Sequence, residues 1–154
     1  MMPIAKLIAS CLGIGYIKKG AGTAAALFYC LLWWVGKIGE SSIMLQLAII
    51  ILLFFGGVWS ATLLEKKWGH DSARVVIDEV VGMAITLLLV PTSWPPVLVG
   101  FLLFRVLDIV KPLGIKTMEK LNAGWGVMMD DVLAALYAFI LLRVLLILKP
   151  DFIV

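Results

Sequence analysis

The amino-acid sequence predicts an all-α fold, a polytopic membrane bundle of about five transmembrane helices that forms one domain over residues 1–154. The chain is 63% hydrophobic and only 15% charged, whereas about a quarter of the residues in a soluble domain are charged. Several uncharged stretches approach the roughly 20 apolar residues that cross a bilayer as a helix. The sequence lacks the alternating pattern of barrel strands, and helices are the other structure that satisfies the backbone in lipid.

The elements are predicted in chain order from their apolar runs. Residues 7–17 are expected to form an interfacial or re-entrant segment, because the run between Lys6 and Cys11 is too short for the core of a secretory signal. Five spans follow, at residues 22–36, 43–64, 75–90, 97–112 and 131–148. The second has Gln46 as its only strongly polar side chain, and three prolines within residues 91–96 separate the third span from the fourth.

The basic residues lie mainly on one side of this predicted bundle. We call side A the side on which odd-numbered spans begin and even-numbered spans end. Its loops contain Lys18, Lys19, Lys66, Lys67, Arg74, Lys111, Lys116 and Lys120. Side B has Lys37 and Lys149. Basic loops mark the cytoplasmic side of membrane proteins, so side A is predicted to be cytoplasmic. This orientation and anionic lipid headgroups explain the net charge of +3, and no nucleic-acid partner is expected.

Acidic side chains enter the third span from side A. Asp78 and Glu79 lie one turn inside it, where ionisable groups are costly, and Gly82 on the same face leaves room for an ion, a water or a neighbouring helix. A functional site explains this pair. The alternative is a buried ion pair with Arg105 that only locks helices together.

The fourth span ends on side A with Arg105, Asp108 and Lys111, which recur every three residues and therefore share one helix face. A row of ion pairs within the helix is the alternative explanation. Asp130 and Asp131 open the fifth span, where one acid suffices for a cap and the second indicates a cation.

Together these segments bring their polar groups to the same depth of the bundle. Carboxylates without cysteine or a histidine cluster suit a hard cation such as Mg²⁺, and Arg or Lys beside that cation suits a phosphate. Lys18 and Lys19, beside Gly20 and the start of the first span, are either a phosphate-binding segment or a basic interfacial flank. His70 is expected to be a surface residue, and Cys11 and Cys30 are expected to be isolated core thiols.

Three motifs resemble those of the phosphatidylglycerophosphatase A family. The first is Asp71 followed by Asp78-Glu79-Val-Val-Gly82, and the second is Phe104-Arg105-Val-Leu-Asp108-Ile-Val-Lys111-Pro112. The third is Gly124-Trp-Gly126-Val-Met128-Met-Asp130-Asp131. Gly22 and Thr23 are also retained from an amino-terminal motif whose proline, second glycine and serine are replaced here by Ala21, Ala25 and Ala26.

The resemblance implies Mg²⁺-dependent hydrolysis of the terminal phosphate of phosphatidylglycerophosphate, which gives phosphatidylglycerol and inorganic phosphate in glycerophospholipid biosynthesis. It implies a multi-pass protein of the bacterial inner membrane whose active site faces the cytoplasm. A membrane phospholipid is the expected substrate, and no protein partner is predicted. The expected catalytic residues are Asp78, Glu79, Asp108 and Asp131; the expected metal ligands are Asp78, Glu79, Asp130 and Asp131. The expected phosphate-binding residues are Arg105, Lys111, Lys18, Lys19 and Thr23, with Asp71 as an accessory residue.

Two other functions compete with this interpretation. An ion-coupled membrane transporter would also hold intramembrane acids, but its polar groups would lie near mid-span rather than at one end. A phosphatase of another lipid phosphate would have the same site chemistry. A cysteine phosphatase is excluded, because Ile17 stands where its arginine would follow Cys11, and the long acidic motif of phosphatidyltransferases is missing.

Overall fold

The computed structural model describes residues 1–69 and 72–149, and throughout these residues the fold is helical, which confirms the predicted all-α class. Seven α-helices follow in order: α1 Met2–Ala9, α2 Ala21–Val35, α3 Ile43–Trp68, α4 Ile77–Thr86, α5 Trp94–Val110, α6 Ile115–Met118 and α7 Gly124–Leu148. Short 3-10 helices, Ile14–Tyr16 and Ile38–Glu40, lie between α1 and α2 and between α2 and α3.

Two of the described helices are long and apolar enough to cross a membrane. They are α3, with 26 residues, and α7, with 25, which are about 39 Å and 37 Å long at 1.5 Å per residue. Helix α2 has 15 residues and α5 has 17, so both are short for a bilayer core of about 30 Å. The five-span topology therefore stays a prediction.

The third predicted span, residues 75–90, is wrong in its extent. Helix α4 has only 10 residues, about 15 Å of rise, and packs against α2, α3, α5 and α7. Val81 and Met83 are fully buried there. A helix enclosed by protein and a helix that faces lipid are both composed of apolar residues. The hydrophobic run at residues 75–90 therefore could not distinguish a buried helix from a membrane span.

The turn after α4 provides hydrogen-bond partners for two polar residues of the long helices, Gln46 of α3 and Arg143 of α7. The Leu89 N–H donates to Gln46 Oε1 at 3.0 Å, and the Arg143 guanidinium donates to the Leu89 carbonyl at 3.0 Å. Gln46 is buried, and an unpaired backbone N–H at such a position would cost about 1–3 kcal/mol. These contacts close the end of the bundle opposite the acidic residues.

The start of α7 is also earlier than the predicted residue 131. The Thr62 hydroxyl of α3 accepts the N–H of Gly124 at 3.1 Å, and the residue before the helix is Ala123. Asp130 and Asp131 consequently lie nearly two turns inside α7. Their interpretation as helix caps is therefore wrong, and another reason for an acidic pair inside an apolar helix is required.

The N-terminal segment borders the site. Residues 7–17, predicted as interfacial or re-entrant, contain the end of α1 and the 3-10 helix Ile14–Tyr16. Helix α1 packs against α3, and the Val76 N–H donates to the Ala9 carbonyl at 2.8 Å. This contact ties the segment to the beginning of α4 and leads the chain along the site into α2.

Candidate active site

A polar cavity of about 290 Å³ opens where α2 and α4 begin, α5 ends and the second turn of α7 passes. Its polar lining consists of Lys18, Thr23, Ser72, Asp78, Glu79, Arg105, Asp108, Lys111, Asp130 and Asp131. Most of the predicted site residues therefore meet in one cavity. Lys19 is exposed and does not line it. Asp71 and His70 lie outside the described residues.

Three of the carboxylates form a cluster that could hold a metal ion. Asp78, Glu79 and Asp131 each offer one oxygen, and these oxygens lie within 4.8 Å of one another. Asp78 and Asp131 are buried. Oε2 of Glu79 and Oδ2 of Asp131 are buried without a hydrogen-bond partner among the described residues.

This donor set fits a hard divalent cation. Buried carboxylate oxygens rarely remain unpartnered, because their desolvation is costly unless a charge compensates it. Opposite ligands of an octahedral Mg²⁺ are about 4.2 Å apart, twice its ligand distance of about 2.1 Å. The three oxygens lie within 4.8 Å of one another, which is compatible with one ion in contact with all three.

Arg105 is positioned by the acid one turn later on its own helix. Its Nη1 donates to Asp108 Oδ2 at 2.7 Å and lies 3.8 Å from Glu79 Oε1. Arg105 Nε is buried and has no hydrogen-bond partner among the described residues. The alternative of an ion pair that locks α4 to α5 therefore accounts for only part of the guanidinium, since one donor stays available inside the site.

Lys111 is held by two acids rather than standing free for a phosphate. Its Nζ donates to Asp130 Oδ2 and to Glu119 Oε1, each at 2.6 Å. The hydrogen bond from Lys111 lowers the pKa of Glu119. Asp130, predicted as a metal ligand, thus lies beside the three-carboxylate cluster and bonds to Lys111, although its Oδ1 remains unpartnered in the described part of the chain.

Glu119 was missed by the sequence analysis. It stands between Lys116 and Lys120, and the sequence interpretation considered only the lysines of this loop, as markers of membrane orientation. The fold brings this loop back over α7, and Glu119 then contacts Lys111, the residue that follows α5. A single acid inside a basic loop was the available signal.

The N-terminus of α2 forms the wall opposite the acids. Gly20 precedes the helix with φ of +76° and offers no side-chain cap, so the first N–H groups of α2 lack intrahelical acceptors. Gly22 and Thr23 line the cavity. A Cβ at Gly22 would collide with the Glu79 carboxylate. Glycine is therefore required here for the acid to approach the helix.

The space beside Gly82 is occupied by a neighbouring helix rather than by an ion or a water. A Cβ there would collide with the ring of Phe104 on α5, so the space is filled by a neighbouring helix. Burial raises the pKa of the Cys11 thiol to about 11, which disfavours the reactive thiolate form.

The charges of the cavity do not balance. Five carboxylates and three basic side chains line it, and two of the basic side chains, Arg105 and Lys111, are already paired with Asp108 and Asp130. For the cluster of Asp78, Glu79 and Asp131, the one ion pair with a basic side chain among the described residues is the 3.8 Å contact between Arg105 and Glu79. A row of structural ion pairs therefore explains the outer part of the site but not its buried centre.

Most of the chain is similar in sequence to proteins named as lipid phosphatases. A sequence profile described as Phosphatidylglycerophosphatase A matches residues 7–146. A Bacteroides thetaiotaomicron protein, provisionally named a phosphatidylinositol-3-phosphatase, is 44% identical over 145 residues, covering 90% of this chain and 91% of its own. Phosphatidylglycerophosphatase A of Haemophilus influenzae is 39% identical, covering 87% and 83%, and that of Escherichia coli is 38% identical, covering 56% and 52%. No solved structure matches.

Proposed function

The chain belongs to the phosphatidylglycerophosphatase A family of lipid phosphatases, and from this premise we propose that it removes the terminal phosphate of phosphatidylglycerophosphate with the help of Mg²⁺. The products are phosphatidylglycerol and inorganic phosphate. Membership of a phosphatase family sets aside the alternative of an ion-coupled transporter.

One observation of the site carries the proposal. Three clustered carboxylates, two of which have an unpartnered buried oxygen, line one cavity together with Arg105 and the uncapped N-terminus of α2. Its volume of about 290 Å³ is near the lower end of ligand pockets, about 300–1,000 Å³. Acids for a cation and donors for an anion thus meet in a space that suits a phosphate headgroup.

The residues that would hold Mg²⁺ are Asp78, Glu79 and Asp131. When bound there, the ion would neutralise charge on the phosphoryl group and lower the pKa of water. Asp130 borders this set and is bonded to Lys111. We assign Lys111 to positioning Asp130, since two carboxylates already occupy its ammonium group.

The chain's own donors would bind the phosphate. Arg105, Thr23 and the first residues of α2 line the same cavity, and Arg105 Nε has no hydrogen-bond partner among the described residues. Helix N-termini favour phosphate. In the reaction, water forms a new bond to phosphorus and the ester P–O bond breaks. Glu79 or Asp131 would accept the proton of that water through a carboxylate oxygen that does not hold the metal, and the leaving glycerol oxygen takes up a proton.

We also propose the membrane arrangement expected from the sequence. Five spans in the bacterial inner membrane would put the cavity at the cytoplasmic face, where Lys18 reaches its rim. Helices α3 and α7 support membrane insertion by length and composition. The substrate would then be a phospholipid of the cytoplasmic leaflet.

The test is phosphate release by the purified protein from lipid phosphates in mixed micelles, with Mg²⁺ and with a chelator. We expect release from phosphatidylglycerophosphate that depends on Mg²⁺ and is absent in Asp131→Asn. Equal rates with and without the chelator would reject the metal, and no release from this lipid would reject the substrate.

Phosphatidylinositol 3-phosphate is a second candidate substrate, favoured by the name of the Bacteroides thetaiotaomicron relative. Both lipids are phosphate monoesters, but one carries its phosphate on a primary glycerol oxygen and the other on a secondary ring oxygen. Assaying both at equal surface concentration, with kcat/KM as the readout, distinguishes the two candidates.

A further inference from the structure

A second cavity lies between α2 and α5, on the side of the bundle that continues from the polar cavity. Its volume is about 250 Å³. Its walls are apolar except for one thiol, and they consist of Leu27, Cys30, Trp34, Trp94, Val97, Leu98 and Phe101. We call this the apolar groove. In the polar cavity the same two helices contribute Thr23 and Arg105.

The spacing on both helices places the apolar groove and the polar cavity along the same helix faces. From Thr23, the groove residues of α2 follow at four, seven and eleven residues: Leu27, Cys30 and Trp34. From Arg105, those of α5 precede it at the same intervals: Phe101, Leu98 and Trp94. Residues at these intervals lie on one helix face, so each helix presents one stripe that is polar at the site and apolar beyond it.

The dimensions of these stripes match one lipid chain. Eleven residues of helix rise about 16 Å, and half of a bilayer's hydrocarbon core is about 15 Å thick. A lipid whose phosphate lies beside Arg105 has its acyl chains on the apolar side of the headgroup. The apolar groove begins one helical turn from that headgroup position on both helices.

We propose that the apolar groove binds one acyl chain of the same lipid phosphate whose headgroup occupies the polar cavity. This inference rests on the proposed function, because it needs a lipid substrate with its phosphate at the site. The groove would hold the substrate in one register along α2 and α5, with the scissile phosphate beside Arg105. Lipid phosphates would therefore be selected by their chain as well as by their headgroup.

Filling the groove tests this proposal. Leu27→Trp places a large ring in the groove, and Leu32→Trp is the matched control, because Leu32 lies on the same helix, is similarly exposed (41% against 49%) and does not line the groove. Each variant is assayed on dioleoyl phosphatidylglycerophosphate and on its water-soluble deacylated headgroup. We expect Leu27→Trp to raise KM for the lipid about tenfold or more and to leave kcat/KM for the soluble headgroup unchanged, while Leu32→Trp changes neither.

Equal behaviour of Leu27→Trp and Leu32→Trp, or equal losses on lipid and soluble headgroup, would overturn the proposal. Leu98→Trp repeats the test from the α5 wall. If the wild type hydrolyses phosphatidylinositol 3-phosphate instead, the proposed function fails, but the same comparison on that lipid and its deacylated form still decides on the groove.

Cys30 gives a readout that does not depend on turnover. In protein that carries Asp131→Asn and lacks Cys11, the lipid should slow maleimide labelling of Cys30 at least threefold, whereas the deacylated headgroup should not. Labelling that is the same with and without the lipid would contradict occupancy of the groove. A change in oligomeric state on Leu27→Trp would instead indicate that a second copy of the chain fills it.

Discussion

Two neighbouring aspartates of α7 have different surroundings, although the sequence presents them as a pair. Asp130 bonds to Lys111 at 2.6 Å, whereas Asp131 joins Asp78 and Glu79 in the buried cluster. A carboxylate that repels its neighbours in the absence of a cation destabilises the fold locally. A carboxylate that neutralises a lysine stabilises it. These residues can therefore be separated by measuring stability with and without metal.

We predict that Asp78→Asn and Asp131→Asn keep or raise the melting temperature of the metal-free protein and lose its Mg²⁺-dependent rise. Binding to the folded state alone stabilises it by about 2.7 kcal/mol at a hundred times Kd. Activity should fall by roughly 100-fold or more, because replacing even a residue that only hydrogen-bonds to a metal ligand lowers metal affinity or activity about 10–100-fold. Melting in detergent and phosphate release are the measurements.

The matched control for these variants is Glu119→Gln, which removes an acid from Lys111 outside the cluster. It should keep the Mg²⁺ response and shift stability by less than about 1 kcal/mol, as for partly exposed pairs. If Asp131→Asn instead lowered the metal-free melting temperature strongly and retained the Mg²⁺ response, the acids would be structural.

Lys18 and Lys19 offer a second matched pair, because only Lys18 lines the polar cavity. We predict that Lys18→Ala raises KM about fivefold, the equivalent of about 1 kcal/mol for one exposed charge, with kcat unchanged. Lys19→Ala should leave both constants near wild type. Steady-state kinetics check this, and equal effects of the two substitutions would show that the segment acts only as a basic flank.

Gly22, near the N-terminus of α2, has no side chain and so allows the Glu79 carboxylate to lie against the helix. Helix α4 presents Glu79 so close to Gly22 that a Cβ has no room. Glycine inside a helix otherwise destabilises it by up to about 1 kcal/mol relative to alanine. The close approach of the two helices therefore opposes intrinsic helix propensity at this position.

We predict that Gly22→Ala displaces the Glu79 carboxylate and reduces both activity and the Mg²⁺-dependent stabilisation. Gly56→Ala on α3 is the control, because its added Cβ meets only Ile8 Cγ2, at 3.9 Å. That substitution should be neutral or stabilising by up to about 1 kcal/mol with normal activity. Melting curves with and without Mg²⁺ measure both effects, and an unaltered Mg²⁺ response in Gly22→Ala would remove Glu79 from the metal site.

At the scale of the molecule, the two ends of the bundle are chemically different. The polar cavity lies at one end, and the contacts of Leu89 with Gln46 and Arg143 close the other. The basic loops predicted for side A contribute Lys18 and Ser72 to the cavity. If the chain spans the membrane as we propose, the cavity end faces the cytoplasm.

We predict that single cysteines at Ser72 and Thr117, in protein lacking Cys11 and Cys30, resist an impermeant thiol reagent in intact cells. A cysteine at Glu40, which is exposed in the 3-10 helix before α3, should react. All three should react after lysis. Labelling of Ser72 and Thr117 from outside, with Glu40 protected, would reverse the orientation.

The sequence by itself determined the helical class and the composition of the site. Apolar runs require helices in lipid, and acids with Arg and Lys at one end of several runs indicate a cation and a phosphate. Asp78, Glu79, Arg105, Asp108 and Asp131 are brought into one cavity as expected. These conclusions depend on residue type and local spacing, which the sequence contains directly.

Only the tertiary structure decided how the groups are distributed. It placed α4 inside the protein, moved the start of α7 to Gly124 and engaged Lys111 with Glu119 and Asp130. Hydrophobicity reports removal from water and does not report whether protein or lipid provides the cover. Ion pairs between residues far apart in the chain depend on how the helices pack, and local spacing contains no information about that packing.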